Sequence, residues 1–163
     1  MSSKTFIFNS LPKTVEELRA MPESSCTDAF AVAALTVAVL CNYYDNAEET
    51  YRMLDAIKGP QPLSTYEKQF IRDRMMDNKY VPISYFEGTS PANSYTPSLP
   101  YKITVSDNPY SYTDPNYANL YIASSGADSP RSVKLRKKGD NWFLWEQFVL
   151  VGIRAAAADD PWA

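Results

Sequence analysis

The chain has 163 residues, a formal net charge of −3 and a hydrophobic share of 45%, values that indicate one globular domain and exclude an intrinsically disordered segment. It contains no histidine, which excludes serine–histidine and cysteine–histidine nucleophile systems and removes the commonest metal ligand. Its two cysteines, Cys26 and Cys41, flank one predicted helix that would hold them about 22 Å apart, too far for a disulfide bond. We therefore expect free thiols in a cytoplasmic protein, with no signal peptide and no membrane-spanning segment.

The first part of the chain, residues 1–80, carries the signals of helices. Thr14 is followed three residues later by a glutamate, which is the pattern of a capping box, and Pro22 ends the short helix that it opens. A second helix is predicted over residues 28–44, DAFAVAALTVAVLCNYY. It is apolar on every side, which predicts that it is buried all round as the central core helix.

Two further helices follow. In AEETYRMLDAIKG, Tyr51, Leu54 and Ile57 recur at helical spacing, and Gly59 supplies a stop. A second capping box, formed by Ser64 and a glutamate three residues later, opens the helix TYEKQFIRDRMM.

The second part, residues 81–158, carries strand and turn signals. YVPISYFEG, residues 80–88, predicts a short strand with Pro82 at the sheet edge. YKITVSD alternates apolar and polar residues, which predicts a half-buried strand, and ANLYIASS predicts another. RSVKLRKK and NWFLWEQF are expected to pair as a hairpin about the turn at Gly139 and Asp140.

The basic run of this hairpin invites two interpretations. Five basic side chains occur within the eight residues of RSVKLRKK, and two tryptophans follow closely. Val133 and Leu135 would share one face of the strand, while Lys134 and Arg136 share the other, which places the charges in water. A sequence pI of about 5.0 also disfavours nucleic-acid binding. We favour a hairpin with a charged outer face, and keep an anion or nucleic-acid site as the alternative.

These signals predict an α+β domain that spans residues 1–163. We expect three to four N-terminal helices, within residues 1–80, packed on a C-terminal antiparallel sheet of four to six strands, within residues 81–158. The sheet is expected to be either open or curled towards a barrel.

Aromatic residues are concentrated in the second part of the chain and supply a candidate binding surface, because tyrosine and tryptophan predominate at binding hot spots. The candidates are Tyr110, Tyr112, Tyr117, Trp142, Trp145 and Trp162. Residues 159–163, DDPWA, are expected to form a tail whose tryptophan docks on the aromatic sheet or on the tyrosine-rich loop before it. The turn SSGADSPR supplies a weaker anion-site candidate in Arg131.

The chain carries several long and distinctive strings, namely KTVEELRAMPE, KGPQPLSTYEKQFIRDR, SYFEGTSPANSYTPSLPYKITVSDNPYSY, SSGADSPRSVKLRKKG, WFLWEQF and ADDPWA. In these strings it resembles a family of small uncharacterised proteins, a domain of unknown function, from Gram-positive bacteria. The resemblance implies a bacterial source and a cytosolic setting. It implies no catalytic residue, cofactor or substrate.

No motif in the sequence predicts a catalytic residue, a metal ligand or a cofactor. Cys26 precedes a helix but has no histidine to act as its base, and there is no glycine-rich phosphate loop. We therefore expect a non-catalytic cytoplasmic bacterial protein that binds a protein or small-molecule partner, with neither a nucleic acid nor a membrane as partner. The alternative is a small-molecule-binding protein or enzyme with an aromatic pocket between the helices and the sheet.

Overall fold

The structure is a computed structural model that describes residues 1–76 and 78–162. Within these residues the strands are β1 (Ser3–Phe8), β2 (Tyr101–Ser106), β3 (Tyr117–Ile122), β4 (Arg131–Lys138) and β5 (Asn141–Gln147). The helices are α1 (Val15–Ala20), α2 (Ala29–Leu40), α3 (Ala47–Lys58), α4 (Thr65–Met75) and α5 (Tyr80–Ile83). Turns of 3₁₀ helix lie at Pro22–Ser25, Pro91–Asn93 and Ala157–Asp159.

The five strands form one open antiparallel sheet in chain order, with β1 and β5 at its edges. The mixed helix-and-sheet class and the expected number of strands are confirmed, whereas the sheet is not closed into a barrel. The expected order of helices before strands is corrected, because β1 precedes all the helices. It pairs with β2 from Ser3 opposite Ser106 to Phe8 opposite Tyr101.

Helix α2 is the centre of the hydrophobic core, as its sequence predicts. All its residues are buried, from Ala29 to Leu40. The carboxylate of Asp28 caps its start by accepting a hydrogen bond from the backbone N–H of Phe30 at 3.0 Å. The helix packs against α3 on one side and against the sheet on the other. Among the described helices, none is long and apolar enough to cross a bilayer.

Side-chain caps also fix the starts of α1, α3 and α4, and the sequence predicts those of α1 and α4. The hydroxyl of Thr14 accepts a hydrogen bond from the N–H of Glu17 before α1. Asn46 caps α3 in the same way. Ser64 and Glu67 form the full reciprocal capping box of α4, in which each side chain accepts from the backbone N–H of the other residue.

The strand predicted over residues 80–88 is wrong, because this segment begins with the one-turn helix α5. Pro82 is tolerated there since the N–H groups of a first helical turn have no intrahelical partner. Tyr85 then turns into the core, where its hydroxyl donates to the carbonyl of Val149 at 2.6 Å. Tertiary packing therefore outweighs the local strand propensity of the valine and isoleucine in YVPI.

The hairpin of β4 and β5 forms about the predicted turn, and its first strand has the predicted alternation of faces. Gly139 occupies the connection with φ 61°. Val133 and Leu135 are 0% exposed, whereas Arg136 is exposed and Lys134 is half-buried. Lys134 and Arg136 of the basic run therefore lie on the outer face of a strand whose inner face belongs to the core.

The docking predicted for the tail over residues 159–163 is wrong for Trp162, whose side chain is 93% exposed. The chain before the tail is held elsewhere, beside the loop that contains Gly126. There Arg154 donates its N–H to the carbonyl of Gly126 at 2.9 Å and accepts from the hydroxyl of Tyr95 at 2.6 Å. Its guanidinium pairs with Asp128.

Candidate functional site

Two cations of β4 lie over two aromatic rings on the outer face of the sheet. The ammonium of Lys134 is 4.6 Å from the ring centroid of Tyr117. The guanidinium of Arg136 is 5.4 Å from the same centroid and 4.6 Å from that of Trp145. The two rings meet edge to face with centroids 6.0 Å apart. We call Tyr117, Lys134, Arg136 and Trp145 the cationic–aromatic patch.

Strand register assembles this patch. Tyr117 of β3 is paired with Arg136 of β4, and Lys134 is two residues away on the same face. On the other side, the β4–β5 pairing shifts by one residue, since Lys134 faces Glu146 while Leu135 faces Leu144. Trp145 is the extra residue of this bulge, and a bulge re-aims the side chain that it carries. The indole therefore reaches the ring and the guanidinium of its neighbours.

A second aromatic pair lies near the turn end of β5. The rings of Tyr112 and Trp142 meet edge to face at 6.5 Å, and the ammonium of Lys137 is 5.8 Å from the centroid of Trp142. Burial, with smaller contributions from Asp107 and Asp28, raises the pKa of Tyr112, so this phenol is neutral at physiological pH. The pair thus presents a neutral aromatic surface with one adjoining cation.

Four cations at the end of β4 lie close together and take part in no ion pair among the described residues. The ion pairs among the described residues are Lys4–Asp28, Arg52–Glu49, Lys58–Glu67, Arg72–Asp73 and Arg154–Asp128. None of them involves Lys134, Arg136, Lys137 or Lys138, although all four occur within five residues. This part of the sheet therefore concentrates positive charge on a chain whose net charge is −3.

A hollow of about 220 Å³ lies beside the patch at the edge of β5, and we call it the basic groove. Its charged and aromatic lining consists of Lys58, Arg136, Lys137, Lys138, Phe143 and Trp145. No carboxylate is among the described residues that line it. The groove therefore favours an anionic group that can also contact an aromatic face.

A second hollow of about 230 Å³, which we call the apolar cleft, lies between α3, α4 and β5. At one side the ammonium of Lys58 is 3.1 Å from a carboxylate oxygen of Glu67 and 3.3 Å from the carbonyl oxygen of Trp145. Because Lys58 is buried, these contacts satisfy a charge that would otherwise be costly to desolvate. The ion pair also ties α3, α4 and β5 together at the point where the two hollows meet.

Four of the six predicted surface aromatics contribute to these features. Tyr117 and Trp145 form the patch, while Tyr112 and Trp142 form the second pair. Tyr110 is 77% exposed and has no ring partner among the described aromatic residues, and the tail tryptophan lies apart as well.

The structure gives Arg131 a different role from the anion site proposed for it. Its Nε donates to the carbonyl of Val151, and its Nη2 donates to that of Gly152, both at 2.9 Å. Its Nη1 donates to the carbonyl and to the hydroxyl of Ser129. With its donors engaged by backbone and hydroxyl oxygens, this guanidinium clamps two loops and has little capacity left for an anion.

Lys58 and Phe143 are important residues that the sequence reasoning missed. For Lys58 a signal existed, because it lies four residues after Leu54 and seven after Tyr51, on the apolar stripe of α3. A lysine on the buried stripe of a helix needs a partner, which indicates a structural or functional ion pair.

The site offers charge and aromatic surface, while its nearest thiol is a poor nucleophile. Burial raises the pKa of Cys26, so the thiol is protonated near neutral pH. Within the described ranges, no three histidine, cysteine, aspartate or glutamate side chains are grouped so that they could hold a metal ion.

Comparison with known proteins gives one family match. No curated protein and no solved structure matches the chain. One family model matches residues 10–157, a range that contains the whole cationic–aromatic patch, the basic groove and the apolar cleft. Because this match covers most of the sequence, the chain belongs to the family described as Domain of unknown function (DUF6935).

Proposed function

We propose that the chain is a single non-catalytic binding domain of the cytoplasm of Gram-positive bacteria, which holds an acidic protein partner on the cationic–aromatic patch and the basic groove. One observation carries the proposal: the four cations of residues 134–138 form no ion pair with any described carboxylate, and three of them lie over aromatic rings. Charge of one sign on an interface selects partners of the opposite sign and speeds their association.

An acidic protein fits this surface better than a nucleic acid does. Binding to a phosphate backbone usually relies on a broad basic stripe and a basic domain. Here the sequence pI is about 5.0, and the cluster of unpaired cations occupies one hairpin. The bacterial cytoplasmic setting is supported by the resemblance of the sequence to Gram-positive proteins and by the two free cysteines.

The alternative, a small-molecule-binding protein or enzyme, has weaker support. The apolar cleft does lie between helices and the sheet, where that alternative requires a pocket. Its volume of about 230 Å³ is nevertheless below the range of about 300–1,000 Å³ that is usual for sites of drug-sized ligands. Such a volume suits one large side chain of a protein partner better than a whole metabolite.

Binding of a labelled hexaglutamate peptide, followed by fluorescence anisotropy, tests the proposal. Changing Lys134→Gln together with Arg136→Gln should weaken binding by about tenfold, since each exposed ion pair contributes up to about 1 kcal/mol. Raising the salt concentration should weaken binding to the unaltered protein as well.

The matched control removes two exposed cations from another part of the molecule, through Lys13→Gln and Arg19→Gln. This variant has the same net charge and should bind hexaglutamate almost as well as the unaltered protein. An equal loss in both variants would mean that the peptide responds only to net charge, and the proposed surface would be rejected. Tighter binding of single-stranded DNA than of hexaglutamate, with the same dependence on Lys134 and Arg136, would replace the proposed partner class.

A further inference from the structure

We infer that the partner presents an extended peptide segment, which pairs with the open edge of β5, inserts one apolar side chain into the apolar cleft and lays acidic residues in the basic groove. This inference rests on the proposed function and specifies its ligand. It follows from the backbone at the edge of β5, from the size of the cleft and from the way in which the two hollows join.

Strand β5 is an edge strand, and in the described sheet no strand pairs with its outer side. Trp142 turns its N–H away from β4 and donates it to the carbonyl of Cys26 at 2.7 Å. Alternate residues of an antiparallel strand direct their backbone groups to the same side, so the N–H and carbonyl of Leu144 face this edge too. Open edge groups of this kind are what an added peptide strand recognises in β-augmentation.

The cleft runs beside this edge and has the form of a side-chain pocket. One wall consists of residues 144–148, which are the end of β5 and the residue after it. The other wall includes Tyr66, Phe70 and Ile71 of α4. Tyr66 is 77% exposed and Phe148 is also exposed, so two large rings border the cleft without being covered. An extended segment between a strand edge and a helix would place alternate side chains into such a pocket.

The charges of the two hollows determine which part of the bound peptide lies in the apolar cleft and which part lies in the basic groove. Lys58, Leu144 and Trp145 line both hollows, so the cleft and the groove adjoin each other. The cleft carries the carboxylates of Glu67 and Glu146 against one ammonium, which disfavours acidic ligand residues there. Besides Lys58, which is paired with Glu67, the groove carries three cations, and no carboxylate is in its described lining. The apolar residue of the ligand therefore belongs beside α4, and its acidic residues belong beside the end of β4.

Fluorescein-labelled peptides with one leucine, one glycine and four glutamates test this inference on the full chain. Both sequence orders are measured, because an added strand can run in either direction, and alanine replaces leucine in the reference peptides. We expect the leucine peptide of one order to bind about tenfold more tightly than its alanine reference, as burial of a large aliphatic side chain implies. Methylating the backbone nitrogen next to the leucine should remove most of this advantage, because the edge pairing loses a donor.

Variants of the protein then locate the binding. Tyr66→Ala combined with Phe148→Ala should reduce the leucine advantage while leaving the binding of the alanine peptide unchanged. Leu99→Ala combined with Tyr110→Ala removes two exposed apolar side chains outside the cleft and should preserve the advantage.

Each remaining outcome has a distinct meaning. Suppose that the leucine and alanine peptides bind equally well, and that changing Lys134 and Arg136 still abolishes binding. This result would overturn the insertion of a side chain into the cleft and leave the proposed function intact. Absence of binding by every acidic peptide would overturn both. Unchanged binding of the methylated peptide would overturn the edge pairing.

Discussion

Gly59 offers a sharp test of how α3 meets the edge of the sheet. It ends α3 with φ 69° and ψ −130°, a backbone conformation that is nearly restricted to glycine and costs other residues about 1–3 kcal/mol. A methyl group at this position would also lie 2.6 Å from Cγ of Phe143, within the packed edge of the core. Overpacking of this kind costs about 1–3 kcal/mol. Gly59→Ala should therefore destabilise the protein by about 4 kcal/mol in total.

Thermal unfolding followed by circular dichroism measures this effect, and Gly139 supplies the control. For a chain of this length a loss of 4 kcal/mol corresponds to a fall in Tm of about 8–16 °C. Gly139 has a φ of 61°, but a methyl group there would have no neighbour within 4 Å, so Gly139→Ala should cost only about 1–2 kcal/mol. When Phe143 is also changed to Leu, the difference between the falls in Tm caused by Gly59→Ala and by Gly139→Ala should be smaller. Equal falls in Tm for the two alanine variants would refute the close approach of α3 to the Phe143 ring.

Three further predictions concern the core, a thiol and the tail. Leu135→Ala should lower the free energy of unfolding, measured in urea titrations, by about 2–5 kcal/mol. Lys138→Gln, on the exposed end of the same strand, should change it by no more than about 0.5 kcal/mol. A larger loss from Lys138→Gln than from Leu135→Ala would contradict the assignment of the buried face of β4. Cys26 should react with iodoacetamide more slowly than a free thiol at pH 8 and faster as the pH rises, because burial raises the pKa of Cys26 and the reactive thiolate forms only at higher pH. Mass spectrometry of the peptide that contains Cys26 measures the reaction rate at each pH. An apparent pKa below the ordinary value of a thiol would contradict the burial of this side chain. Truncation after Ala158 should leave Tm unchanged, since Trp162 is almost fully exposed; a clear fall would show that the tail is a structural clamp.

The helices were predictable because their signals are local. A capping box needs only Ser64 and the glutamate three residues later, and both halves of it form. A helix that is apolar on every side must be buried whatever surrounds it, which placed α2 correctly. The hairpin of β4 and β5 was equally accessible, because alternation and a glycine turn determine it within one short stretch.

The first strand was missed because its partner is remote. Ile7 is exposed and Phe6 is only half-buried, so the alternation of β1 is weak, as is usual for an edge strand. Its pairing with β2 joins residues about a hundred positions apart, from Ser3 to Ser106. Nothing in either segment alone specifies that contact.

The candidate site was predictable in its residue types but not in its arrangement. Tyr117 and Trp145 were selected from composition, yet their contact depends on the register of β3 on β4 and on the bulge at Trp145. The cleft and groove require the packing of α3 and α4 against β5, and that packing has no local sequence signal. The two hollows, which share the buried Lys58, therefore depend on tertiary packing and could not be predicted from the aromatic residues alone.

The unpaired cations of β4 are best understood as a preorganised surface. A solvated lysine or arginine ordinarily samples many rotamers, and immobilising such a side chain on binding costs about 0.5–1.5 kcal/mol. Arg136 already lies within 6 Å of two ring centroids, and Lys134 lies over one of them. Exposed cation–π contacts of this kind are worth about 0.5–1 kcal/mol each, comparable to that entropy. The rings therefore hold charges that take part in no ion pair among the described residues, so an acidic partner would meet ordered cations and an aromatic surface at the same time.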